Sequence, residues 1–215
     1  MADIATRVML GEKLQNMPYG TGLYPPAAHI AVKAPVFSFE KLSGLDNQLG
    51  PEMKSTGEAL GLAPTMPEAL YKALLASGYQ FKTDGGILFT VRDTDKEESV
   101  DIAGRFAALG FHLYATEGTA AILQSHGIHA TLVHKIKESM HNTISLLESG
   151  RISYVLSTSQ KGRTPARDSV KVRRKAIELG IICLTSLDTA AALADILKAN
   201  FTPDSCSVID ICSVN

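Results

Sequence analysis

With 215 residues, 45% of them apolar and 20% charged, the chain has the composition of a packed globular protein rather than a disordered one. Its formal net charge of −1 lacks the basic surplus that marks nucleic-acid binding, so any phosphate site must be local. Three cysteines, at 183, 206 and 212, are too few and badly spaced for a zinc cluster or disulfide framework. No stretch approaches the ~18 apolar residues of a membrane span or resembles a signal peptide, so a cytoplasmic protein without membrane or nucleic-acid partners is expected.

Residues 4–14 can form a short helix, which Pro18, Gly20, Gly22, Pro25 and Pro26 stop. Residues 29–39 read as extended: Ile30 and Val32 share a face, Pro35 interrupts, and Phe37 and Phe39 alternate beyond it. Residues 40–66 hold six Gly or Pro and few apolar runs, so they are expected to lie over a surface belonging to something else. A helix is predicted over 67–77, with Pro67 in its first position. One helix and one broken strand do not make a core, and residues 1–80 read as the tail of a larger domain.

From Lys82 the pattern becomes regular. Strands are expected at 86–91, 111–115, 128–133, 152–156 and 181–184. Helices are expected after capping-box spacing at Thr94 to Glu97, then over 118–126, 140–149, 168–179 and 188–198. Gly110, Gly127, Gly150 and Gly180 supply stops. Such alternation predicts an α/β fold: an open parallel sheet of about five strands with helices on both faces. Cys183, inside its apolar run, reads as a buried thiol. Residues 207–211 are either an edge strand or part of a loose tail.

In a parallel sheet every strand-to-helix junction lies at the carboxyl edge, where helix-start amides can meet an anion. The junctions here carry hydroxyls and cations: Thr90, Lys96, Thr116, Gly118, Thr119, Lys135, and the run Ser157, Thr158 and Ser159 followed by Arg163. Gly118 permits close backbone approach, the threonines can donate to phosphate oxygens, and the lysines supply point charges. Each has a plainer reading: Thr116 as an ordinary helix cap, Thr90 as a strand residue, the lysines and Arg163 as solvated surface, the three hydroxyls as loop backbone partners. Arg167 could also reach a phosphate. Asp168 is the nearest carboxylate beyond the strand-four loop and the one serious candidate for an acid or base there, with capping of the next helix as its plainer reading. Lys171, Arg173, Arg174 and Lys175 are expected on its solvent face or against a neighbouring domain. No histidine spacing suggests a metal.

The motifs LFTVRDTDK (88–96), ALGFHLYATEGTA (108–120), the His134–Lys135 pair and VKVRRKAIELGI (170–181) resemble the methylglyoxal-synthase-like domain that closes the large chain of carbamoyl-phosphate synthase. Upstream, ATRVMLGEKL (5–14), AVKAPVFSFEKL (31–42), LGPEMKSTGEALG (49–61) and EALYKALLASG (68–78) resemble the end of the second ATP-grasp half of the same chain. The resemblance implies an ATP-grasp remnant over 1–80, a methylglyoxal-synthase-like regulatory domain over 81–200 and a tail over 201–215. It implies an allosteric portion of an enzyme of pyrimidine and arginine biosynthesis that is not catalytic alone. ATP, Mg and K would belong to domains upstream, leaving no cofactor in this chain. The implied partners are a nucleotide monophosphate such as UMP or IMP, or another anionic effector, and the rest of the synthase chain; a homo-oligomer is left open. By resemblance the phosphate contacts fall on Thr90, Lys96, Thr116, Thr119 and Lys135. The chain departs from the family at His134, where an Asn usually stands, and at Ser157-Thr158-Ser159, where an Asn-Thr-Thr segment is usual. The family's ornithine-contacting glutamate falls at Ala34.

Two other readings compete. A phosphate-eliminating lyase of the methylglyoxal synthase type needs a carboxylate base, which that family carries in an Asp-Pro-Leu segment after the fourth strand; here Gly162-Arg163-Thr164-Pro165 stands there. The chain could instead be an interaction module whose cradle has lost its ligand.

Overall fold

The computed structural model describes residues 1–23, 26–36, 55–136, 138–140, 142–158 and 168–211. A helix α1 (Ala2–Met9) opens the chain and buries no residue. It ends five residues before the predicted limit because Gly11 turns the backbone to φ +95°. Strand β1 (Ile30–Val36) pairs antiparallel with β2 (Gly57–Ala63). Pro35 thus sits inside the strand opposite Glu58 rather than interrupting it, as a two-stranded ribbon allows. The expected extension through Phe37 and Phe39 lies outside the described residues.

Strand β2 was not expected within 40–66. Its run GEALGLA is small-residue rich because helix α2 (Met66–Ala76) packs directly on it. A side chain at Gly61 would collide with the Ala69 carbonyl and come within 2.7 Å of the Ala73 amide. Ala34, Ala63, Ala69, Tyr71 and Ala73 form the buried seam.

The remainder is a five-stranded parallel sheet in the order β5-β4-β3-β6-β7. In chain order it comprises β3 (Gly86–Thr90), α3 (Lys96–Ala108), β4 (His112–Thr116), α4 (Glu117–Ser125), β5 (Thr131–Val133), α5 (Thr143–Glu148), β6 (Ile152–Ser157), α6 (Asp168–Glu178), β7 (Ile182–Leu184) and α7 (Leu187–Ala199). Strand β5 is shorter than expected. Alternation in β3 sends Ile87 and Phe89 to one face, against Ile102, Phe106, Leu123 and Leu193 of α3, α4 and α7. Leu88 goes to the other face, against Leu147, Val172 and Ala176 of α5 and α6. A bulge at the start of the β3–β6 pairing skips Ser153, which puts Ile152 and Val155 on one face and Tyr154 and Leu156 on the other. The Tyr154 hydroxyl accepts from the Lys82 amide at 2.7 Å and donates to the Lys82 carbonyl at 2.8 Å.

Several local expectations are corrected. Thr94 does not cap α3: a 3-10 turn (Asp93–Asp95) precedes the helix and the Thr94 hydroxyl donates to Asp95 Oδ1 at 3.0 Å. Helix α5 starts at Thr143 rather than 140 because Asn142 forms a reciprocal capping box with Ser145. Asp168 is the first residue of α6 rather than its cap. Arg173, expected on a solvent face or against another domain, is 1% exposed and so buried, as are Val170 and Val172 of the same helix. Cys183 is half-buried.

The tail holds no strand over 207–211 within the described residues. After Asn200, at φ 51°, the chain turns back onto α2. There the Ser207 amide and hydroxyl donate to Glu68 Oε1 at 2.6 and 2.7 Å, and Lys72 Nζ donates to the Ser207 carbonyl at 2.6 Å. Phe201 stacks near Tyr71 with ring centroids 5.7 Å apart. Helix α2 also packs on α7, so the ribbon unit is joined to the sheet domain.

Candidate functional site

Chain order runs outward from β3 through β4 to β5, then restarts at β6 and proceeds to β7. That reversal opens a crevice at the carboxyl ends of β3 and β6, where open α/β sheets accept ligands. Thr90 and Ser157 are register partners there, and Thr116 pairs with Val133 just before His134 and Lys135. Thr90, Lys96, Thr116, Gly118, Thr119, Lys135, Ser157 and Thr158 therefore share one edge. Ser159, Arg163 and Arg167 lie outside the described residues.

The sharpest contact joins α3 to α4. The Lys96 ammonium lies over Gly118, so close that a Cβ there would stand 2.5 Å from Nζ. Gly118 thus makes room for a cation above the start of α4. Thr116 occupies the N-cap position with extended backbone, yet its hydroxyl makes no capping bond. The ordinary capping reading of Thr116 is not realised, and the first amides of α4 keep the partial positive charge of a helix start. Thr119, 1% exposed, accepts only a long 3.5 Å contact from the Val91 amide among the described residues. Ser157 Oγ is buried with no hydrogen-bond partner among the described residues, a costly condition for a hydroxyl.

Thr158 behaves differently. Its hydroxyl accepts from the Arg92 amide at 3.1 Å and is bonded to the Asp95 carboxylate. That hydroxyl is engaged in the scaffold. Burial pushes the Asp95 carboxyl upward, but the hydrogen bonds from Arg92 (2.7 Å), Thr158 and Thr94 outweigh it and hold the group below its ordinary value. This buried knot fixes the β3–α3 loop against β6.

Asp93 and Asp95 were not singled out in the sequence. Their one local sign is the i, i+3 spacing to Lys96 and from Arg92, which gives ion pairs of 2.6 and 2.7 Å. The Asp93 carboxyl is lowered by its hydrogen bond and charge contact with Lys96, and also by the Lys135 charge. Lys135 is exposed, and its amide donates to Glu138 Oε2 at 2.9 Å. A cleft of about 650 Å3 opens at the opposite, amino edge beside Gly85, His112, Tyr114 and Arg151, away from all of these residues. Among the described residues, no group of three His, Cys, Asp or Glu side chains is placed to hold a metal, and no helix is long and apolar enough to cross a membrane.

The architecture is an open five-stranded parallel sheet with helices on both faces, and within it residues 98–185 match the family model described as MGS-like domain. Among solved structures, the chain is similar to methylglyoxal synthase from Elizabethkingia anophelis NUHP1, at 15% identity over 60% of this chain and 89% of that one, with a TM-score of 0.42.

Proposed function

We propose that the chain is a regulatory module that binds a phosphate-bearing effector, such as a nucleotide monophosphate, at the carboxyl edge of its sheet. In this reading it is the C-terminal portion of a carbamoyl-phosphate synthase large chain, the ribbon unit being the end of an ATP-grasp domain. The observation that carries the binding reading is the Lys96 ammonium seated over Gly118 at the uncapped start of α4. A phosphate there would meet that ammonium, the helix-start amides and the hydroxyls of Thr116 and Thr119, with Lys135 adding charge from the β5 side. Ser157 offers a further donor on the β6 side.

Calorimetric titration with UMP, IMP and inorganic phosphate tests the reading. Thr119→Val should weaken binding by about 1.5–3 kcal/mol, the range for hydrogen bonds to charged groups. Unchanged affinity would reject the placement of the site. Incubation with dihydroxyacetone phosphate separates the lyase reading, which requires phosphate release where the regulatory one requires none.

A further inference from the structure

Where two lysines would receive a phosphate, a carboxylate already faces them. Asp93 Oδ1 lies 2.6 Å from Lys96 Nζ, although the Asp93 side chain is 83% exposed and the lysine only 22%. The ammonium it holds is the one seated over Gly118. Asp95 cannot take its place, because that carboxylate is bound to Arg92 and Thr158. Lys135 also contributes to lowering the Asp93 carboxyl, so both lysines act on it.

We infer that Asp93 is a resident counter-anion, an intramolecular competitor that an incoming ligand displaces from Lys96, and that it biases the cradle toward dianions. The inference rests on the phosphate-binding reading and adds a selectivity element to it. The charges of Lys96, Lys135 and Asp93 sum to one positive. A monoanion that displaces Asp93 replaces like with like and brings no additional charge. A dianion brings one charge more than it displaces, and the released carboxylate moves from an exposed pair into water without a burial penalty. Exposed ion pairs are weak and screened, so Asp93 sets a threshold of a few-fold rather than a block.

The test is calorimetric titration of inorganic phosphate into the full chain at about pH 8, where the probe is mainly the dianion. Asp93→Asn should tighten binding about two- to five-fold, the range for an exposed pair. It should also render methyl sulfate, a monoanion, a measurable competitor. The double variant D93N/K96M should bind no tighter than K96M alone. Unchanged or weaker binding in D93N overturns the inference, as does equal tightening on the K96M background, which would mark a long-range charge effect. Binding by the unaltered chain without a D93N response overturns the Asp93 role alone. Absence of binding in the unaltered chain and D93N alike overturns the phosphate reading, and the inference with it.

Discussion

Gly118→Ala should move stability and ligand affinity in opposite directions. Gly118 is the second residue of α4, with no positive φ to oppose a side chain. Its new Cβ would stand 2.5 Å from Lys96 Nζ and 3.3 Å from Cε. Favourable carbon contacts begin near 3.5 Å, so the ammonium must retreat by roughly 1 Å. It is the far end of a flexible chain, and this retreat costs the fold little. Alanine meanwhile favours the helix by up to about 1 kcal/mol over glycine, less in a first turn. Thermal unfolding should therefore rise by at most about 2–4 °C for a chain of this size, or stay level. Phosphate affinity should fall by about ten-fold, the lower range for a charge-assisted bond. Paired calorimetry and thermal scans check both signs. Undiminished affinity would refute the role of the Lys96–Gly118 approach, and a loss of several degrees would refute the claim that Lys96 yields.

Asp95→Asn should destabilise the fold by about 1–3 kcal/mol in urea unfolding, since it loosens contacts to Arg92, Thr94 and Thr158. Because the Asp95 carboxyl is lowered in the folded state, its contribution is present above about pH 4 and fades as pH falls through the folded value; the variant should lack that part of the acid loss. Burial pushes the Tyr154 phenol up to about 12, so the stability it contributes is complete below about pH 10 and is lost as pH rises toward the folded value. Tyr154→Phe should remove that alkaline loss and cost about 1–3 kcal/mol at neutral pH, because both Lys82 backbone groups lose their partner. Gly61→Ala should part α2 from β2, costing at least about 1–3 kcal/mol by denaturation while leaving the sheet's circular dichroism in place.

The sheet domain was legible because its signals are local. Apolar runs bounded by glycines mark the strands, and helical spacing marks what lies between them. The ribbon was half hidden: β2 is built from glycine and alanine, and its strand character comes from close approach by α2 rather than from apolar bulk. The start of α5 was missed because its capping box uses Ser145 where Glu or Gln gives the usual sign. Arg173 sat in a basic run that reads as surface, while its helix turned it inward. At the site, hydroxyls and cations could be listed from the junctions, but the division of labour among them could not. Thr158 is occupied by Arg92, 66 positions earlier, and only the folded arrangement separates it from Ser157, whose hydroxyl has no hydrogen-bond partner among the described residues.

The Ser207 clasp on Glu68 and Lys72 gives the chain a mechanical property. Helix α2 packs on α7 and is also held by the strap that leaves α7. The ribbon is thus tied to the sheet domain twice, by the α2–α7 packing and by the strap, so separating the two parts must break both sets of contacts.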